Sequence, residues 1–298
     1  MSPDPAYVAG SAEVAPHVSE FRRFLRVFLS RKIVIFGLVV IVALIITAIF
    51  APFIAPYDPY KQTLDRPLLQ PDREHLLGTD ALGRDTLSRV IFGSRVSLIV
   101  GISAIILAGT IGIMLGLIAG YFGGITFAVI MRAMDTLMGI PNLVLVLVVA
   151  SVLGGGLKNV VIALSVGSVA LYARIMCGQV LAVKQNDYVL ASRSMGASNP
   201  RIMLRHLLPN CFPPLIVVMT MQMGMMILAE AGLSFLGIGI EPPIAAWGAM
   251  VTDGYRYLLT NPILSFAPGL AVMLVVFAYN MVGDGLRDAI DPRLRGTL

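Results

Sequence analysis

Six apolar stretches of about 20 residues or more restrict what this chain can fold into more than any other feature. An α-helix rises about 1.5 Å per residue, so about 20 apolar residues cross the roughly 30 Å hydrocarbon layer of a bilayer. Only 13% of the 298 residues are charged, about half the share in an average soluble domain. The sequence therefore predicts an all-α, polytopic membrane protein with six transmembrane helices. We expect them at residues 33–53, about 96–121, about 125–153, about 160–183, about 213–236 and about 262–282.

Basic residues next to the spans indicate the orientation, because loops rich in Lys and Arg stay in the cytoplasm. The first span follows five basic residues: Arg22, Arg23, Arg26, Arg31 and Lys32. This predicts a cytoplasmic N-terminus, and six spans then return the C-terminus to the cytoplasm, where Arg287 agrees. The loop of residues 55–95 must lie outside. It carries six basic residues as well as six acids, so it is the weakest part of this assignment.

The chain before the first span divides into two predicted parts. Residues 1–20 are rich in proline and small residues, and we expect a disordered cytoplasmic tail. In residues 21–32, apolar side chains recur at helical spacing opposite a basic face, which predicts an amphipathic helix in the inner membrane interface. Such a helix could simply precede the span or could clasp a partner. Residues 33–298 form the predicted transmembrane domain.

A polar, basic segment at residues 184–210, here called the knuckle, separates two apolar spans on the cytoplasmic side. Asp187 is suited to cap a helix that runs to about residue 195, and Gly196 supplies the left-handed conformation that ends it. Asn199-Pro200 starts a second short helix, which we expect to end at Leu208-Pro209. The next span then starts at Pro213-Pro214. The pattern fits a loop resting on lipid headgroups and a docking element for a partner equally well.

Ionisable residues inside spans are expensive and are candidates for function. Glu230 lies in the outer part of the fifth span, where it could face an aqueous pathway or gate, or could form a structural hydrogen bond. Met223 and Met226 belong to a methionine cluster that could line the same pathway, with ordinary core packing as the favoured interpretation. Arg132 and Asp135 share a face of the third span and are expected to pair with each other.

Sequence signals for catalysis within the chain are missing. It contains no G-x-x-x-x-G-K-[ST] phosphate loop, no G-x-S-x-G and no H-E-x-x-H. Its three histidines are too scattered for a metal site, and its basic residues cluster at span ends, so we expect no metal site, no cofactor and no nucleic acid. A stand-alone channel or ion-coupled carrier is the rival class, but it would need inverted repeats or matched broken helices, which are not evident in the sequence.

The knuckle carries Leu190-Ala191-Ser192, then Gly196, then His206-Leu207-Leu208-Pro209. This spacing resembles the EAA loop of binding-protein-dependent ABC importer permeases, except that Leu190 replaces the usual glutamate and Ser192 the second alanine. Three further stretches look like the C-type member of the dipeptide/oligopeptide/nickel permease subfamily. They are LLGTDALGRDTLSRVIFGSRVSL at 76–98, EAGLSFLGIGIEPPIAAWGAM at 230–250 and NMVGDGLRDAIDPRLRG at 280–296.

The resemblance implies a type I permease architecture in the bacterial cell membrane. It implies a heterodimer with a homologous B-type permease, an external substrate-binding protein, and two cytoplasmic ATPases that bind ATP and magnesium. The implied solute is a di- or oligopeptide, with nickel, another metal chelate or a bulkier solute as alternatives.

The resemblance also suggests roles for particular residues. The implied contacts with the ATPase are Ala191, Gly196, Met203, His206 and Leu207, with Arg201 and Arg205 as peripheral charge partners. The implied contacts with the external binding protein are Asp80, Arg84, Asp85 and Trp247.

Overall fold

The computed structural model describes residues 20–290, and helices form its framework. The predicted tail falls outside the described residues except for Glu20, which begins the first helix. A π-helical turn at Ile202–Leu207 joins α8 to α9. The helices are α1 (Glu20–Phe28), α2 (Lys32–Ile54), α3 (Thr86–Phe122), α4 (Gly124–Met138), α5 (Asn142–Leu153), α6 (Leu157–Val183), α7 (Asp187–Ser194), α8 (Asn199–Arg201), α9 (Leu208–Phe235), α10 (Trp247–Tyr255) and α11 (Ile263–Ile290).

Five helices within residues 20–290 are long and apolar enough to span a membrane, and a bent pair, α4 with α5, can supply the sixth. The all-α polytopic fold is therefore confirmed. The prediction of one continuous third span at 125–153 is wrong, because α4 and α5 meet at an angle of 91°. The break falls at Gly139-Ile140-Pro141. Proline disfavours the helical conformation of the residue before it, and it has no N–H to donate. Ile140-Pro141 therefore ends one helix before the next begins.

The contact between α3 and α6 lies at the centre of the fold. Three glycines spaced four residues apart on α3 let the two backbones approach closely. A Cβ on Gly112 would lie 2.5 Å from the Val169 carbonyl oxygen, and one on Gly120 would lie 2.8 Å from the Val180 Cβ. A Cβ on Gly116 would collide with the Ala173 carbonyl oxygen. The small-residue face therefore determines how closely these two spans pack.

Both ends of the described chain lie on the same side of the helix assembly. Arg31, just before α2, forms an ion pair of 2.9 Å with Asp288 near the end of α11, and α1 packs against α11. The two ends of the described chain therefore lie on one side of the membrane, as the prediction of six spans requires. The helix predicted at 21–32 is shorter than expected, because α1 ends at Phe28 and α2 begins at Lys32.

We predict that Gly116→Ala destabilises the protein by about 1–3 kcal/mol, because the added methyl group overpacks the α3–α6 contact. The measurement is thermal unfolding of the purified protein in detergent. Gly178→Ala is the matched control, since Gly178 lies on α6 and a Cβ there meets nothing within 4 Å. The control should be neutral or slightly stabilising because alanine favours helix. Equal unfolding temperatures for both variants would contradict the proposed role of the glycine face.

Candidate functional site

The turn of the knuckle is a glycine-terminated helix end. Gly196 follows α7 with a φ of +79°, a conformation that glycine adopts without steric cost. The Gly196 N–H donates to the Arg193 carbonyl at 3.0 Å, and the Ala197 N–H donates to the Ser192 carbonyl at 3.1 Å. These two bonds form a Schellman motif. The prediction that Gly196 ends the first helix is confirmed, although Asp187 is the first helical residue and not the cap.

The second half of the knuckle differs from the prediction because it does not end at Leu208-Pro209. The chain from Asn199 to Phe235 is one helix of 37 residues. The π turn carries it past Pro209, with the Leu208 N–H bonding to the Met203 carbonyl five residues back. This wider turn accommodates the proline, which lacks an N–H. The knuckle is therefore physically continuous with the fifth span.

Two side-chain hydrogen bonds fix the knuckle to the cytoplasmic end of α3. The Tyr121 hydroxyl donates to Asn199 Oδ1 at 2.7 Å, at the start of the second helix. The Lys184 ammonium group donates to the Gly120 carbonyl at 2.8 Å, just before the first helix. Both halves of the knuckle are thus bonded directly to the end of α3.

Two of the residues expected to contact an ATPase point into this chain instead. Met203 is 8% exposed and Leu207 is fully buried, and both pack in a core cluster with residues of α3, α6 and α9. Their assignment as contacts is corrected, because the apolar side of the second helix faces the protein's own core. The remaining candidates are accessible: His206 is half-buried, and four are exposed, namely Ala191, Gly196, Arg201 and Arg205.

The exposed apolar side chains of the knuckle were missed by the sequence reasoning. Met195 is 81% exposed, and Leu190 and Leu204 are about half exposed. A concave surface beside the turn is lined by Met195 and Gly196 together with the basic side chains of Arg201 and Arg205. The available signal was the phase of the second helix, since Leu204 falls about a quarter of a turn away from the buried pair Met203 and Leu207.

Glu230 lies inside the chain and not on an open surface. It is fully buried, with Met223 at 8% and Met226 at 4% exposed. The Ser234 hydroxyl donates to Glu230 Oε1 at 2.8 Å, and the Ile240 N–H donates to the Ser234 oxygen at 3.2 Å. In this structure none of the three candidates lines a pathway on the surface of the chain. Glu230 thus makes the structural hydrogen bond that the sequence left open as the alternative, and Ser234 ties the outer end of α9 to the loop that follows it.

An accessible ion pair lies within the membrane-spanning part of the fold. Asp135 on α4 pairs with Arg174 on α6, and not with Arg132 as expected. The two side chains are 41% and 52% exposed, respectively. Charged groups at this depth face water or protein and avoid lipid. The face of α4 and α6 that carries this pair therefore requires an aqueous space or a second protein beside it.

The outer loop is held to the beginning of α3 by Asp85. One carboxylate oxygen of Asp85 accepts hydrogen bonds from the Ser88 N–H at 2.8 Å and the Ser88 hydroxyl at 2.6 Å. The other oxygen lies 2.8 Å from His75 Nδ1. Asp85 is 3% exposed. Its assignment as a contact for an external protein is corrected, because it caps the helix.

Trp247 and Arg84 are also buried, at 2% and 6% exposure. The indole N–H donates to the Val90 carbonyl at 2.9 Å, and the ring lies against Gly93, where a Cβ would come within 2.5 Å of it. The assignment of Trp247 as a contact is corrected too, since it fastens α10 to α3. Arg84 donates to Asp80 and lines a cavity. Asp80 is half-buried and reaches the surface. Within residues 20–290 no group of His, Cys, Asp or Glu side chains could hold a metal ion.

The spans, the knuckle and the ordered outer loop define a multi-pass membrane protein. Residues 112–296 match the family described as binding-protein-dependent transport system inner membrane component. Residues 19–71 match the N-terminal TM domain of oligopeptide transport permease C. The chain belongs to the first family. It is a permease subunit of an ABC transporter and a multi-pass protein of the bacterial inner membrane.

Curated relatives resemble the chain over most of its length. A di/tripeptide transport system permease of Pseudomonas aeruginosa is 41% identical over 93% of both chains. A glutathione transport system permease of Pectobacterium atrosepticum is 39% identical over 92% of both. An oligopeptide transport system permease of Bacillus subtilis is 40% identical over 90% of this chain and 88% of its own.

A solved structure of the MetNI methionine ABC transporter in an inward-facing conformation has the same fold. Its TM-score is 0.54 at 20% sequence identity, and the match covers 68% of this chain and 97% of that one. The type I permease architecture that the sequence resemblance implies is therefore confirmed.

We predict that a cysteine replacing Glu230 stays inert to aqueous thiol reagents in the assembled transporter, with and without ATP, because the side chain is enclosed. The measurement is labelling with a membrane-impermeant maleimide. Leu76→Cys in the outer loop is the reactive control, since Leu76 is 62% exposed. The native Cys177 and Cys211 are buried and should give little background. Labelling at position 230 in either state would restore the pathway assignment.

Proposed function

We propose that the chain forms one half of the transmembrane pathway of a peptide importer. Its relatives are named for dipeptides, tripeptides, oligopeptides and glutathione, and these names favour a peptide solute over nickel, another metal chelate or a bulkier solute. A homologous B-type permease supplies the other half of the pathway. An external binding protein delivers the solute, and two cytoplasmic ATPases, which hold the ATP and magnesium, drive the cycle.

The continuity between the knuckle and the fifth span is the observation that supports this function best. A helix of 37 residues is about 55 Å long, which exceeds the roughly 30 Å apolar thickness of a bilayer. When the two ATPases close on ATP, the knuckles move together and each helix transmits the displacement to the outer side. The permeases rock as rigid bodies into an outward-open state, and hydrolysis resets them.

The docking surface for the ATPase is the exposed side of the knuckle. Ala191, Met195 and Gly196 offer a small, largely apolar contact, and Arg201 with Arg205 adds positive charge at its edge. This replaces the contact set that included Met203 and Leu207. The half-buried His206 lines the same concavity and belongs to the surface.

The face bearing the Arg174–Asp135 pair borders the pathway that the two permeases share. Its polarity supports this proposal, because charged side chains accessible at membrane depth need water or a protein partner. The exposed Arg132 lies on α4 one turn from Asp135 and contributes to the same surface. These three residues take the place of Glu230, Met223 and Met226 as pathway candidates.

We predict that Gly196→Val uncouples ATP hydrolysis from transport. A β-branched side chain at a φ of +79° costs about 1–3 kcal/mol and reorients the second half of the knuckle. Peptide taken up per ATP hydrolysed, measured for the complete complex in proteoliposomes, should fall about tenfold. Assembly should survive, since a Cβ at this position meets nothing within 4 Å.

Gly196→Asn is the matched control for this variant, because asparagine tolerates the left-handed conformation. It should retain most of the coupling. Uptake per ATP equal to wild type in Gly196→Val would contradict the mechanism. Equal loss in both variants would show that the side chain, and not the backbone angle, matters.

We predict that the purified chain alone hydrolyses no ATP, because it has no phosphate-binding loop. The measurement is phosphate release by the chain expressed without partners. The complete complex prepared in the same detergent is the positive control. Hydrolysis above background by the isolated chain would overturn the assignment of ATP binding to the partner subunits.

A further inference from the structure

A charged cavity lies on the outer face, between the end of the outer loop and the helices α10 and α11. Its apolar wall includes Met250 and Leu264. Three arginines and two aspartates line it, so the lining carries one net positive charge. The charged and hydroxyl-bearing residues important here are Asp80, Arg84, Thr86, Arg89, Asp253 and Arg256.

Two buried guanidinium groups in this cavity share a single carboxylate. Arg84 is 6% exposed and Arg89 is 4% exposed. Asp80 Oδ2 lies 2.6 Å from Arg84 Nε and 3.5 Å from Arg89 Nε. Asp253 is exposed and forms no ion pair with the described residues. A buried charge without its own counter-ion is unfavourable. A second anion that entered the cavity would therefore be stabilised by these two arginines.

The hydrogen-bonding capacity of Asp80 is already used. Its Oδ1 accepts from the Leu82 and Arg84 N–H groups, each at 2.9 Å. Arg89 Nη1 donates to the Pro59 carbonyl at 3.2 Å. Among the described residues, only Nε of the Arg84 side chain has a hydrogen-bond acceptor. The two terminal NH₂ groups of the Arg84 guanidinium therefore remain able to donate hydrogen bonds to a ligand.

Thr86 provides an independent indication of a ligand. It is 1% exposed and lines the same cavity, yet its hydroxyl has no hydrogen-bond partner among the described residues. Buried polar groups in native proteins are nearly always paired. A hydroxyl in this position can donate to an acceptor that enters the cavity between the arginines.

We propose that this cavity binds the carboxylate of an acidic side chain presented by the external binding protein. Arg84 and Arg89 supply the charge, the planar guanidinium fork suits a carboxylate, and the Thr86 hydroxyl donates one further bond. A singly charged group matches the net charge of the lining, whereas a doubly charged phosphate would meet the oxygens of Asp80 and Asp253. Arg256, exposed at the rim, adds charge where a docked protein would sit. The inference rests on the proposed function, because it requires a protein partner at the outer face.

The test uses Thr86→Val and Arg256→Gln in the complete complex in nanodiscs. Thr86→Val keeps the shape and removes a hydroxyl that has no partner in the chain, so the unfolding temperature should not fall. The Kd of the binding protein for the complex should rise about tenfold in Thr86→Val, which removes a hydrogen bond to a charged group. In Arg256→Gln it should rise several-fold, with a weaker dependence on salt.

Arg66→Gln is the matched control, because Arg66 is another exposed arginine of the outer region and lies outside the cavity. It should bind like wild type. Wild-type affinity in both Thr86→Val and Arg256→Gln would overturn the site while leaving the proposed function intact. A wild-type complex that does not bind its binding protein would instead overturn the proposed function.

Measurements with empty and solute-loaded binding protein identify the source of the carboxylate. An acidic side chain predicts the same loss of affinity in both. It also predicts one Asp→Asn or Glu→Gln variant of the binding protein that raises the Kd less in the Thr86→Val background than in wild type. Loss confined to the loaded form would assign the cavity to the terminal carboxylate of a peptide and would overturn the docking role.

Discussion

The close contact between α3 and α6 is the constraint on which the other features of the structure depend. Gly112, Gly116 and Gly120 remove every Cβ from one stripe of α3, and the backbone of α6 occupies that space. Lipid provides no hydrophobic drive for helices to associate, so close van der Waals packing of this kind is a main source of stability inside a bilayer. The knuckle hydrogen-bonds to the cytoplasmic end of α3, and the charged cavity surrounds its outer beginning. Both surfaces that we propose as docking sites thus lie at the ends of the same helix.

The polar groups of the protein are concentrated where the chain must join separate pieces. Asp85 joins the outer loop to α3, Trp247 joins α10 to α3, and Glu230 with Ser234 joins α9 to the following loop. Each of these side chains is buried and bonded within the chain. Other polar groups keep the capacity to bind a further group. The Thr86 hydroxyl has no partner among the described residues, only Nε of the Arg84 side chain has an acceptor there, and the Arg174–Asp135 pair is accessible. In the proposed function these groups face a protein or a solute.

Local signals in the sequence predicted local structure well. The apolar lengths located the spans, and Gly196 located the helix end because its φ depends on its own residue type. Residues whose roles depend on distant neighbours could not be assigned in this way. Met203, Leu207 and Glu230 face inward only because of how the helix from Asn199 to Phe235 is rotated against α3 and α6. Trp247 is buried because Gly93 leaves room for its ring. Pro141, which breaks the third span, was a local signal that the apolar composition around it obscured.

The single helix from Asn199 to Phe235 also restricts how such a sequence can change. Each residue added to an α-helix turns everything beyond it by about 100° and advances it by about 1.5 Å. An insertion or deletion anywhere in this segment would rotate the outer half, including the buried face of Glu230, relative to the docking side of the knuckle. Substitutions leave this geometry unchanged, whereas a change in length is absorbed only where the helix widens, as in the π turn at Ile202–Leu207. The number of residues in this helix therefore sets both the distance and the angle between its cytoplasmic and outer ends.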